Sequence, residues 1–150
     1  MKWGKVAQAS FVGEYQHTLD DKGRVALPAR FRESLGPRFM LARGLDDCLF
    51  IYPMDEWEKL VERLKSVSIS QSDSRAFARY FLAGAVEVEP DKQGRFVLPS
   101  HLREYASLAK EVSILGVGNR LEIWDRTKWE EMKTRIRGEF AKLAETVTAI

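Results

Sequence analysis

The sequence predicts an α+β fold, mainly β with added helices, in which two copies of one small unit pair about a pseudo-twofold axis and interleave their strands into one closed β-barrel. Three observations predict it. A charged and apolar motif recurs along the chain, short runs around each copy alternate in the period of two of half-buried strands, and the segments between and after the copies carry apolar residues at helical spacing.

The repeat comes first, because it decides what every other segment belongs to. Asp20-Asp21-Lys22-Gly23-Arg24-Val25-Ala26-Leu27-Pro28-Ala29-Arg30-Phe31-Arg32-Glu33 returns as Asp91-Lys92-Gln93-Gly94-Arg95-Phe96-Val97-Leu98-Pro99-Ser100-His101-Leu102-Arg103-Glu104, at an offset of 71 and without a gap. Further along, Leu49-Phe50-Ile51-Tyr52 before Trp57 matches Leu121-Glu122-Ile123-Trp124 before Trp129, now at an offset of 72. Upstream, Gly13 corresponds to Gly84. The division that follows is repeat 1 over 14–57, a helical linker over 58–83, repeat 2 over 84–127 and a C-terminal helix over 128–150. A unit of this size struggles to bury a core alone, so the two copies are expected to fold together and to hide each other's sheet edges.

Taken in order, residues 14–19 and 85–89 alternate as strands, and an Asp-x-x-Gly turn follows each, where glycine takes a positive φ at little cost. Arg24 and Arg95 then open short apolar strands (25–27 and 96–98), so each copy reads as a hairpin with an arginine at its base. Pro28 and Pro99 end these strands and suit the first turn of a helix, expected over 29–35 and 100–108. Two further strands follow in each copy, 39–42 with 48–52 and 112–115 with 121–124, the latter pair joined by a Gly118-Asn119 turn. Between the copies, Trp57, Leu60, Val61 and Leu64 mark a helix over 55–64. Phe77, Tyr80 and Phe81 mark another over 73–81, after a serine-rich break at 66–72. Thr127 is placed to cap a last helix carrying Trp129, Met132, Ile136, Phe140 and Leu143. Two roles stand for that stripe, packing on its own barrel and contact with a neighbouring subunit.

Composition narrows the function. With 45% hydrophobic and 31% charged residues the chain is a soluble globular protein, and it has no apolar run of the roughly 20 residues needed to span a bilayer. The N-terminus lacks a signal peptide's apolar stretch, and Cys48 is the only cysteine, so a cytoplasmic location and a buried structural thiol are expected. The net charge of +2 excludes a nonspecific polycation; any nucleic-acid site must concentrate its cations locally. Only His17 and His101 are present, far apart, and neither a nucleophile motif nor a phosphate loop accompanies them, so neither an enzyme nor a cofactor or metal is expected. Both are expected at the surface or in turns. The tryptophans Trp57, Trp124 and Trp129 fall on packing positions rather than on a base-stacking platform.

The two Asp-x-x-x-Arg motifs, Asp20 to Arg24 and Asp91 to Arg95, each followed by an apolar strand and a proline, resemble the MraZ family, and the likeness extends from about Phe11 to the end. Met1 to Ser10 precede the usual family start. The resemblance implies an AbrB-like swapped-hairpin fold shared by transition-state regulators and antitoxins. It also implies a nucleoid-associated regulator of transcription that binds double-stranded DNA at short direct promoter repeats, upstream of the bacterial cell-division and cell-wall gene cluster, as a ring-like homo-oligomer. The alternative is an antitoxin-like protein-interaction module of the same fold.

On this reading Arg24 pairs with a guanine edge or a phosphate, and Asp20 and Asp91 orient the arginines of their turns. Lys22, Arg30, Arg32, Lys92, Arg95 and Arg103 grip phosphates and set the register. A plainer reading leaves the Asp–Arg pairs as ion pairs that close turns. Gln93 in place of Lys22 and His101 in place of Arg30 weaken the second copy's expected share.

Overall fold

The computed structural model describes residues 10–147. The Met1 to Ser10 extension, save Ser10 itself, and the last three positions of the expected C-terminal helix lie outside the described residues. The elements are β1 (Phe11–Thr18), β2 (Arg24–Ala26), α1 (Ala29–Leu35), β3 (Phe39–Arg43), β4 (Leu49–Pro53), α2 (Met54–Lys65), α3 (Ser72–Ala83), β5 (Val86–Val88), β6 (Arg95–Val97), α4 (Ser100–Tyr105), β7 (Glu111–Gly118), β8 (Leu121–Asp125) and α5 (Arg126–Ala144).

The strands exchange between the copies. The main sheet runs β1-β7-β8-β4-β3-β5, and β2 pairs with β6 in a separate two-stranded ribbon. Every pairing is antiparallel and obeys the repeat: β1 on β7 mirrors β5 on β3, and β4 on β8 and β2 on β6 each map onto themselves. The expected hairpin of each copy's first two strands is therefore corrected. β1 leaves its turn to join the second copy's β7, and β2 pairs with β6. The chain reverses at Asp20 to Gly23 without pairing these strands, because three-residue strands hold only where a partner continues their hydrogen bonds. Leu27 N–H donates to Gly94 O at 3.1 Å, and Leu98 N–H to Gly23 O at 3.0 Å. The ladders give a six-stranded sheet plus the two-stranded ribbon.

Burial explains the exchange. One core draws Val25, Leu27, Phe31, Phe39, Leu41 and Ile51 from the first copy, and Phe96, Leu98, Leu102, Ile114, Leu121 and Ile123 from the second. Leu41, Leu49, Ile51, Leu98, Leu102 and Ile114 have no measurable exposure. The opposite face of the sheet forms a second cluster of Phe50, Tyr52, Leu115 and Trp124 beneath α2, α3 and the start of α5. Trp57 stacks on Phe81 with ring centroids 5.6 Å apart, and Trp124 meets Trp129 at 5.4 Å, so these indoles pack as expected. Cys48 is fully buried, its thiol donating to Leu45 O at 3.1 Å, and burial pushes its pKa up.

Several boundaries differ from expectation. α4 stops at Tyr105 because Ser107 turns left-handed at φ 51°, ahead of the expected end at 108. Asp125, not Thr127, caps α5, its carboxylate accepting from Lys128 N–H. The stripe on α5 divides: Trp129 and Met132 pack on the second cluster, whereas Phe140 is 70% and Leu143 43% exposed. His17 sits on β1 rather than in a turn, half-buried, and desolvation lowers its pKa. Val117 N–H donates to Arg120 O across Gly118 and Asn119, the expected turn.

Candidate nucleic-acid interface

Each turn is built from its aspartate outward. Asp20 Oδ1 accepts from the backbone N–H groups of Lys22 and Arg24, both at 2.9 Å, which closes the turn as an Asx motif. Asp20 Oδ2 accepts from Arg24 Nε at 2.6 Å. The second turn repeats this: Asp91 Oδ1 accepts from Gln93 N–H at 2.9 Å and Arg95 N–H at 2.8 Å, and its Oδ2 from Arg95 Nε at 2.9 Å. Gly23 and Gly94 complete the turns at φ of 75° and 77°, where a side chain is strained. The Arg24 amide, then its side chain and the Lys22 amide, hold the Asp20 carboxyl below its usual range; the Arg95 amide leads the same set at Asp91. Both carboxylates thus stay ionised beside their arginines.

The ribbon joins the two turns. Its register pairs Arg24 with Val97, Val25 with Phe96 and Ala26 with Arg95. Val25 and Phe96 point into the core, so Arg24 and Arg95 share the outer face with Ala26 and Val97. They stand as diagonal neighbours, roughly 7–8 Å apart at the backbone. Each arginine commits Nε to its aspartate and keeps its outer pair of nitrogens for another partner.

The remaining cations distribute by exchange rather than by copy. Arg103 lies against Gly23, with its Nε donating to Leu98 O at 3.0 Å, and Arg32 lies against Gly94 in the equivalent place. The helix arginine of each copy therefore flanks the other copy's turn. Lys22 and Lys92 are exposed on the turns, and exposed Arg30 reaches the Tyr15 hydroxyl at 3.4 Å. His101, the counterpart of Arg30, contacts Gly84 O at 3.0 Å and so turns toward the end of α3. Sequence reasoning missed Lys110. Its carbonyl accepts from Leu19 N–H at 2.7 Å, which brings it beside the first turn; nothing in the local motif signals a contact made by strand exchange. Among the described residues no cluster of three or more His, Cys, Asp or Glu could hold a metal, and no helix is long and apolar enough to cross a membrane.

Fold and site together define a class: a duplicated, strand-exchanged α+β protein that presents two arginine-bearing turns on one outer face. A family model described as "MraZ protein, putative antitoxin-like" matches residues 10–80 and again 81–149. The chain is 51% identical over 137 residues to the transcriptional regulator MraZ of Natranaerobius thermophilus, which covers 91% of this chain and 96% of that one. It is 53% identical over 137 residues to the protein of the same name from Pelotomaculum thermopropionicum (91% and 94% covered), and 52% over 135 residues to that from Moorella thermoacetica (90% and 94%). The chain belongs to the MraZ family.

Proposed function

We propose that the protein is a sequence-specific DNA-binding regulator of transcription, without enzymatic activity, that acts on short direct repeats upstream of the bacterial cell-division and cell-wall gene cluster. One observation carries the reading: two Asp-held arginines on the exposed face of a ribbon whose other face is locked in the core. An arginine fixed by its Nε presents the paired donors that suit guanine O6 and N7 or a phosphate. Lys22, Arg30, Arg32, Lys92 and Arg103 border the two turns and would hold phosphates and set the register. The names of the relatives support a role in transcription.

The two-copy core and exchanged ribbon support a swapped-hairpin unit of the AbrB-like kind, with copies at 14–57 and 84–127, the linker at 58–83 and the terminal helix from 128. Self-association into a ring-like homo-oligomer is part of the proposal, as is association with the nucleoid. It is supported by the apolar surface that α5 leaves exposed at Phe140 and Leu143, and by Leu45 and Tyr80 at 60% and 56% exposure on the body. A second reading, an antitoxin-like interaction module, draws on the family description and on the same apolar surface. Fluorescence anisotropy with the duplex upstream of the protein's own gene, against a scrambled duplex, tests the first reading. Preference for the upstream duplex supports it; equal binding, or none, overturns it.

A further inference from the structure

We infer that the cleft between the first turn and the segment ahead of β7 is a seat for one DNA backbone phosphate, that Lys110 is a phosphate-contacting residue there, and that the second turn has no cation in its place. This rests on the DNA-binding reading and adds to it a direction along the duplex.

The cleft is composite. Leu19, Asp20, Asp21 and Gly23 form one wall, and Arg103, Ala109 and Lys110 form the other. The hydrogen bond from Leu19 N–H to Lys110 O fixes the distance between the walls. Arg103 is anchored through Nε to Leu98 O, and its terminal nitrogens have no hydrogen-bond partner among the described residues. A Cβ on Gly23 would come 3.2 Å from the Arg103 guanidinium carbon, so glycine lets that group lie close over the turn. Lys110 and Lys22 are exposed and form no ion pair with a described carboxylate. Of the nearby acids, Asp20 is occupied by Arg24, which leaves Asp21 against three available cations.

The equivalent cleft at the second turn has the same walls and a different charge. It is bordered by Arg32, Glu33, Glu89, Asp91 and Lys92. Glu89 stands where the first turn has Thr18. Pro37 stands where the first cleft has Lys110, since Phe39 faces Val88 as Val112 faces His17, and the neighbouring Arg38 is paired with Glu87 at 3.0 Å. A phosphate there would meet Glu33 and Glu89, which form no ion pair with a described cation, and would find no lysine in the place of Lys110. The fold is nearly symmetric and its charges are not. Each subunit therefore docks in one orientation along the duplex.

The test is a salt-titrated anisotropy assay on the full chain, with the fluorescein-labelled upstream duplex and a scrambled duplex. Lys110→Gln is expected to lower the slope of log affinity against log salt by about 0.9, and to weaken both duplexes alike by roughly tenfold at 0.1 M salt. Lys110→Arg is expected to restore both values, and Arg38→Gln to leave the slope at the parental value. A parental slope in Lys110→Gln, or an equal loss in Arg38→Gln, overturns the inference while leaving the DNA-binding reading in place. If the parent protein shows no preference for the upstream duplex and no salt-dependent binding, both fall together.

Discussion

Replacing Arg24 by alanine separates recognition from folding, and the structure sets the size of each effect. The strand hydrogen bonds of β2 come from the backbone, and the core contribution of the ribbon comes from Val25 and Phe96, so neither depends on the Arg24 side chain. Its ion pair with Asp20 is largely solvent-exposed and contributes little to stability. Far-ultraviolet circular dichroism and assembly size should therefore match the parent. Recognition is different. Loss of a bidentate contact to a base costs about 1–3 kcal/mol, or roughly 5- to 150-fold in affinity for each engaged subunit, and an oligomer on several repeats multiplies the loss. Arg24→Lys keeps the charge without the planar fork, so it should recover the nonspecific part of binding and not the discrimination. Arg95→Ala should cost less than Arg24→Ala, since the second turn stands among more carboxylates. Anisotropy against upstream and scrambled duplexes reads all three. If Arg24→Ala stays folded and binds the upstream duplex like the parent, the motif only closes a turn.

Four further outcomes are expected. Gly116→Ala would set a Cβ 2.5–2.9 Å from the backbone of Phe11 and Val12 on β1, so strand β1 must shift; a loss of about 1–3 kcal/mol should appear as a lower Tm in thermal denaturation. Asp20 and Asp91 have folded pKa values below the ordinary 3.8, so their contribution to the turns is complete above that value and lost as pH falls through the lower folded value; carboxyl-carbon NMR titration should show both still ionised at pH 3.8, and ordinary midpoints would refute the turn geometry. Cys48, buried and with its pKa raised, should resist a thiol reagent in the native protein and react stoichiometrically in denaturant, and rapid native labelling would contradict its placement. Phe140→Ser should leave the Tm unchanged and lower the mass seen by light scattering, whereas an unchanged mass would remove the end of α5 from the assembly.

Much of this molecule was legible because the same chemistry appears twice. The Asp-x-x-Gly turns, the proline-led α1 and the Gly118-Asn119 turn follow from local backbone preferences, and the sequence carries those preferences residue by residue. Trp57 and Trp129 could be assigned to packing because helical spacing fixes which side of a helix they share. Strand partners could not be read in the same way. Val25 and Phe96 signal burial, yet nothing local says that β2 pairs with β6 and not with β1, since pairing is decided by the core that both copies build. Lys110 and the crossing of Arg32 and Arg103 to opposite turns were hidden for the same reason. At the start of α5 the sequence pointed to Thr127 as the cap, but the helix begins two residues earlier and the charged side chain of Asp125 reaches Lys128 N–H.

Exchange has a mechanical consequence for the site. A turn closed only by its own copy would ride on a three-residue strand, and a ribbon that short is marginal in water. Here Gly23 O accepts from Leu98 and Gly94 O from Leu27, so each turn is clamped by the chain leaving the other. Beneath them Val25 and Phe96 enter a core that neither copy completes alone. Arg24 and Arg95 are thus placed by the packing of the whole molecule, and their spacing is as rigid as that core. The two aspartates complete the arrangement: the three short bonds each makes to its turn and arginine do little for an exposed surface in energy, but they remove rotational freedom from the guanidinium before any partner arrives. A partner that reads both arginines meets donors already fixed at one separation, so it is selected by geometry and not by charge alone.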